Sequence, residues 1–284
     1  MARGRSAGPL FKETALNRTP ARRSVPVALR ALARAALTVC AVDKGSALAA
    51  NFEKSWAGTP DVAEIRTTKN NTLPFLGSST GTLTVDEGTS ADRVTQLAGE
   101  LREYVVRRSK VTGRITANDI TFTVAADEGR TGEVLALWRS LTADDKVKSA
   151  DIHDAPWKEA TVRWRIEATA VDAAGVLTAF KDMLVDGGRH RHLTGVTSLK
   201  VTGPGLFVET DFHDAFPAEA IAAYEAVLAQ HSVTRATLRR DAVSNSAVTM
   251  IVADSADVAH AGELARSAAP NLGAAVEVRG SAGS

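Results

Sequence analysis

From about residue 43 onward, two hydrophobic rhythms take turns along the chain. Leu48, Phe52 and Trp56 recur at helical spacing in 46–57, and Gly58 then Pro60 stop that helix. Strand 61–67 follows, then a loop, then strand 81–86 with Leu83 and Val85 on one side. Helix 90–108 carries Val94, Leu97 and Leu101 on one face, and strand 111–117 turns at Asn118-Asp119 into ITFTVAA. The spacing then predicts helix 131–143, strand 147–153 and strand 160–168. In that last strand Val162, Trp164 and Ile166 point inward while Arg163, Arg165 and Glu167 point outward, the pattern of a sheet with one wet face. Helix 172–186, strand 197–202, a Gly203-Pro204-Gly205 turn and strand 206–212 continue the series. Helix 216–230, strands 235–241 and 247–253, helix 256–268 and strand 274–279 complete it.

These elements are successive β-α-β units at a pitch of about forty residues, an internal repeat. Tight turns join one unit to the next, and two units so joined have the connectivity of the split βαβ, or ferredoxin-like, arrangement. The expected fold class is therefore α+β: tandem ferredoxin-like repeats, with antiparallel sheets and helices on one face. Three domains leave the fewest elements unpaired, at 43–118 (lacking its first strand), 119–204 and 205–284, after a leader at 1–42.

Charge separates the leader from the body. Arg3, Arg5, Lys12, Arg18, Arg22, Arg23, Arg30 and Arg34 face Glu13 alone in the first 34 residues, whereas the whole chain carries only +1. The remainder is mildly acidic, which argues against nucleic acid as the partner, because affinity for phosphates comes from clustered Lys and Arg. Residues 25–39, VPVALRALARAALTV, follow Arg22-Arg23 and precede Cys40. A basic region, an apolar stretch and a cysteine resemble a lipoprotein export signal, with Cys40 the lipidation candidate. Val39 stands where a small residue belongs, and Arg30 and Arg34 interrupt the apolar stretch, so a basic amphipathic helix or an unstructured tail are the competing readings. One cysteine permits neither an intrachain disulfide nor a cysteine-rich zinc site.

Segment 52–94, FEKSWAGTPDVAEIRTTKNNTLPFLGSSTGTLTVDEGTSADRV, resembles secreted or lipid-anchored actinobacterial proteins of tandem α/β repeats. The resemblance implies an envelope or secreted location rather than a cytoplasmic one, and no activity. The last repeat is also similar to the BON module of bacterial envelope proteins.

Several residues invite a chemical reading. Gly77-Ser-Ser-Thr-Gly81 fits the GxSxG pattern, but a nucleophile elbow needs a strand before Ser79 and a helix after it, and here a strand follows. Asp151-Ile-His153-Asp154 and Asp211-Phe-His213-Asp214 place carboxylates beside imidazoles, so His153, Asp154, His213 and Asp214 are candidate metal ligands or acid–base groups. Against that, Asp214 suits a helix N-cap and Asp154 a turn. Gly187-Gly-Arg-His190-Arg-His192 reads as a solvated loop after a helix, and His231 and His260 as isolated surface residues. Neither a phosphate-binding loop nor a dinucleotide fingerprint is present, so no cofactor is expected. The best match to an RNA-recognition motif is Gly203-Pro-Gly-Leu-Phe-Val208, which agrees only at its Phe-Val end.

The reading that follows is a non-enzymatic, envelope-associated interaction or scaffold protein. It would engage a protein partner or a second copy through its sheet edges, and meet a membrane only through its N-terminal anchor. A hydrolytic or metal-dependent enzyme built on the two Asp-x-His-Asp segments, and an RNA-binding protein on ferredoxin-like sheets, are the alternatives.

Overall fold

The computed structural model describes residues 44–71, 77–154, 164–184, 188–191, 193–211, 217–241 and 245–281. These form eleven strands and six α-helices. In chain order they are α1 (Lys44–Trp56), β1 (Val62–Asn71), β2 (Gly77–Val85), α2 (Ala91–Val106), β3 (Val111–Ala117), β4 (Ile120–Val124), α3 (Glu128–Thr142) and β5 (Val147–Asp154). Then follow β6 (Trp164–Ala170), α4 (Ala173–Leu184), β7 (Val196–Gly203), β8 (Leu206–Asp211), α5 (Ala218–Leu228), β9 (Val233–Asp241), β10 (Asn245–Val252), α6 (Val258–Ala268) and β11 (Val276–Gly280). The α+β class and the alternation of elements agree with the sequence. Strand β2 reaches back to Gly77, so Ser79 lies inside it.

All eleven strands belong to one sheet, laid side by side in chain order. Strands joined by a turn pair antiparallel, as β3 with β4 and β7 with β8; strands joined by a helix pair parallel, as β2 with β3 and β4 with β5. The sheet is thus mixed, not antiparallel. In a split βαβ another strand separates the two parallel strands, whereas here they are direct neighbours, so the expected ferredoxin-like closure does not form. The limits expected at 118/119 and 204/205 fall in two-residue hairpin turns. Asn118 and Asp119 both have positive φ, the mark of a type I′ turn, and Pro204-Gly205 has positive φ only at the glycine, as in type II.

One side of the sheet is dry. Leu83, Ile115, Phe122, Ile152, Ile166 and Leu199 stand in register across β2 to β7 and are 3% exposed or less. Val208, Leu238 and Val248 carry the apolar layer onward. The helices pack on this side and approach most closely where the strands lack side chains. A Cβ on Gly81 would strike the Phe52 ring of α1, one on Gly113 would meet Leu101 and Val105 of α2, and one on Gly203 would meet Val176 of α4. On α3, Trp138 stacks on Phe122 (centroids 5.8 Å apart) and its indole N–H donates to the Ala117 carbonyl at 3.2 Å. Ser90 and Asp127 cap α2 and α3 by accepting from the Arg93 and Arg130 amides.

This arrangement carries a topological consequence. Every crossover steps toward the same edge of the sheet and every helix lies on the same face, yet strand direction reverses at each hairpin. Consecutive β-α-β crossovers therefore alternate in hand. Right-handed crossovers are otherwise nearly universal. Among the described residues the sheet has two unlike sides: the six helices lie on one, and no helix lies on the other.

Candidate functional site

The uncovered face presents the other residue of each strand, and these are mostly polar, with Phe207, Ala247 and Ile251 among them. From β2 to β4 it carries threonines 80, 82, 84, 112, 116 and 121, with the Thr116 and Thr121 hydroxyls 2.9 Å apart, while Thr123 on the same side is buried at 3% exposure. From β5 to β9 it carries a row of charges set by register: Asp151 opposite Glu167, Glu167 opposite Lys200, Lys200 opposite Glu209 and Glu209 opposite Arg239. Lys200 Nζ lies 3.3 Å from Glu167 Oε2, and Arg239 Nη2 lies 3.0 Å from Glu209 Oε2. Arg114, reaching from β3, ion-pairs with Asp151. Phe207 sits beside this row with Lys200 Nζ at 5.6 Å and Arg239 Cζ at 5.9 Å from its ring centroid, both within cation–π range.

A hollow of about 320 Å³ opens in the middle of this face, lined among others by Asp119, Ser149, Asp151, Glu167, Lys200 and Thr202. Partial burial pushes the Asp151 carboxyl up. Hydrogen bonds from His153 and Arg114, reinforced by their charges, outweigh that and hold it below the ordinary carboxylate range. Asp151 therefore stays an anion that accepts from its neighbours rather than a proton donor. The hollow offers one cation and several carboxylates around hydroxyls, which suits polar recognition.

The candidates from the sequence fall in different places. His153 is on β5 at the uncovered face, its Nδ1 3.2 Å from Asp151 Oδ1, and Asp154 ends that strand rather than a turn. His213, Asp214, Cys40 and His192 lie outside the described residues. Ser79 faces the helices, is 3% exposed and donates its hydroxyl to the Thr68 carbonyl at 3.0 Å. It lies within a strand, with no helix after it, so it is not a nucleophile elbow. Among the described residues no three His, Cys, Asp or Glu side chains form a metal-ligand group, and no helix is long and apolar enough to cross a membrane.

Two expectations about histidines are corrected. His190 is not solvated: it is 1% exposed and lies against Asp144, which is 2% exposed, with Nε2 3.1 Å from Asp144 Oδ2 at an angle too oblique for a hydrogen bond. Its Nδ1 is 3.3 Å from Ser140 Oγ. Serine, histidine and aspartate in contact invite comparison with a catalytic triad, but the Ser140 hydroxyl donates to the Leu137 carbonyl at 2.8 Å and so directs its proton away from the imidazole. Burial pushes the His190 pKa down against the pull of Asp144 and Asp182. This cluster holds His190 against the end of α3, and Arg130, in the first turn of the same helix, bonds the Thr194 carbonyl. His231 and His260, read as isolated, meet across α5 and α6.

No family model, no curated protein and no solved structure matches this chain.

Proposed function

We propose that this protein is a non-enzymatic binding module whose uncovered sheet face receives a folded protein partner. The observation that carries this reading is the asymmetry of the sheet. Helices shield one side, while the other spans about 50 Å across eleven strands spaced about 4.8 Å apart and offers a patterned array of side chains. A row that runs acidic, acidic, basic, acidic, basic over β5 to β9 gives a register for complementary charges, which confers specificity and steering more than raw affinity. Basic residues of the face are interleaved with carboxylates, which favours a protein over a nucleic acid.

The face is better supported than the edges as the docking surface. Edge strand β1 carries Glu64, Arg66 and Lys69, and the five-residue edge strand β11 carries Glu277 and Arg279. Charges on short or long edges oppose strand-to-strand addition. Location at the cell envelope rests on the export-like leader ahead of Cys40 and on the resemblance over 52–94, and the intact mass of the native protein tests it.

Reversing two cations of the row tests the docking reading. Lys200→Glu with Arg239→Glu is expected to leave circular dichroism unchanged and to shift the native protein from its complex to the free chain in size-resolved cell extracts. Retention of the complex by the double variant would refute it.

A further inference from the structure

We propose that His231 and His260 form a divalent transition-metal site that ties the end of α5 to α6. His231 follows the last turn of α5 and its amide donates to the Val227 carbonyl at 2.8 Å, while His260 lies in the first turn of α6. His231 Nε2 and His260 Nδ1 are 3.0 Å apart, and the rings meet edge to face with centroids 5.0 Å apart. Asp257 stands behind this pair, its Oδ2 3.2 Å from His231 Nδ1. The carboxylate therefore stands beside Nδ1, while Nε2 faces His260. A carboxylate behind one imidazole is the usual outer partner of a metal-ligating histidine, fixing the tautomer and raising ligand basicity. The His231 side chain is 9% exposed, so its orientation is set by packing, whereas His260 is exposed and leaves the remaining coordination positions to water.

Geometry is close to what a metal requires. Two nitrogens each about 2.05 Å from zinc at a tetrahedral angle are about 3.35 Å apart, so the pair has to open by about 0.35 Å. Turning the exposed His260 ring has to supply that opening and aim its Nδ1 lone pair at the ion, which lies off the N–N line. In the metal-free pair one proton lies between His231 Nε2 and His260 Nδ1; with metal bound, both nitrogens ligate and each ring carries its proton on its other nitrogen. Imidazole pairs suit zinc, copper and nickel rather than calcium or magnesium. The site joins α5 to α6, so metal raises stability with the logarithm of its free concentration above Kd.

The test uses the full, tag-free chain, zinc chloride as probe, and imidazole nitrogen resonances. One equivalent of zinc is expected to shift His231 Nε2 and His260 Nδ1 together. His260→Asn should abolish this step, and Asp257→Asn should weaken it by about tenfold or more. Both variants should keep the native circular dichroism spectrum. Unshifted His231 and His260 resonances at saturating zinc, or undiminished zinc affinity in His260→Asn, would overturn the assignment.

Discussion

Gly81 and Phe52 offer a quantitative handle on how the helical layer sits on the sheet. A methyl group at Gly81 would fall 2.4–2.5 Å from three atoms of the Phe52 ring. Carbon pairs rest at about 3.5–4.0 Å, so the ring must retreat by about 1 Å. It has little room, because Tyr104 packs edge-on at 5.4 Å and Trp56 lies at 6.1 Å between centroids, and Phe52 is fully buried. Overpacking of this kind costs about 1–3 kcal/mol, offset in part by the roughly 0.5–1 kcal/mol that alanine gains over glycine within a strand. Gly81→Ala should therefore destabilise the native chain by up to about 2 kcal/mol. Phe52→Leu removes the ring at its own cost of about 1–2 kcal/mol, below that of a full truncation to alanine. In that background Gly81→Ala should be neutral or stabilising, giving a coupling of about 1–3 kcal/mol in urea unfolding of the four proteins at a common m-value. Additivity within about 0.5 kcal/mol would refute the claimed approach of α1 to β2.

Two further predictions concern the scaffold. His190 has a folded pKa below its ordinary 6.5, so the unfolded chain binds the proton more readily. Its contribution is fully present above about pH 6.5 and is lost as pH falls through the lower folded value. His190→Gln should flatten the fall in the urea midpoint between pH 7.5 and 5.5, and an unchanged slope would count against the burial argument. Ser90→Ala removes the acceptor for the Arg93 amide at the start of α2 and should cost about 1 kcal/mol in the same assay, whereas Ser90→Gly should cost only a few tenths.

Local structure was legible in the sequence because burial on one side imposes a period. Trp164 and Ile166 are buried while Arg165 and Glu167 are exposed, as alternation in that strand predicts. The Asn118-Asp119 turn was likewise readable from residues that tolerate positive φ. Assembly was not legible. A parallel pair that keeps its strands adjacent and one that admits a strand between them bury the same residues, so Leu83, Ile115 and Phe122 say nothing about which occurs. Reading β-α-β units in pairs led to ferredoxin-like closure, and only the register of β2 against β3 distinguishes the continuous sheet.

The histidines failed for a different reason. His231 and His260 are 29 residues apart and have no partner at helical spacing, since the β9–β10 hairpin is what brings their helices together. His190 lies in a run of basic residues that looks solvated, and its burial depends on Asp144, supplied by the turn after α3. Leu193, 1% exposed, was the one nearby signal that this segment folds inward.

The most direct test of the uncovered face as a docking surface is site-specific photo-crosslinking in native cells. A crosslinking residue at Thr202 or Thr237, on the bare side, is expected to capture a discrete protein partner that the same group at Glu103 or Glu263, on the helical side, does not. Capture from the helical positions alone, or none from Thr202 and Thr237, would contradict it.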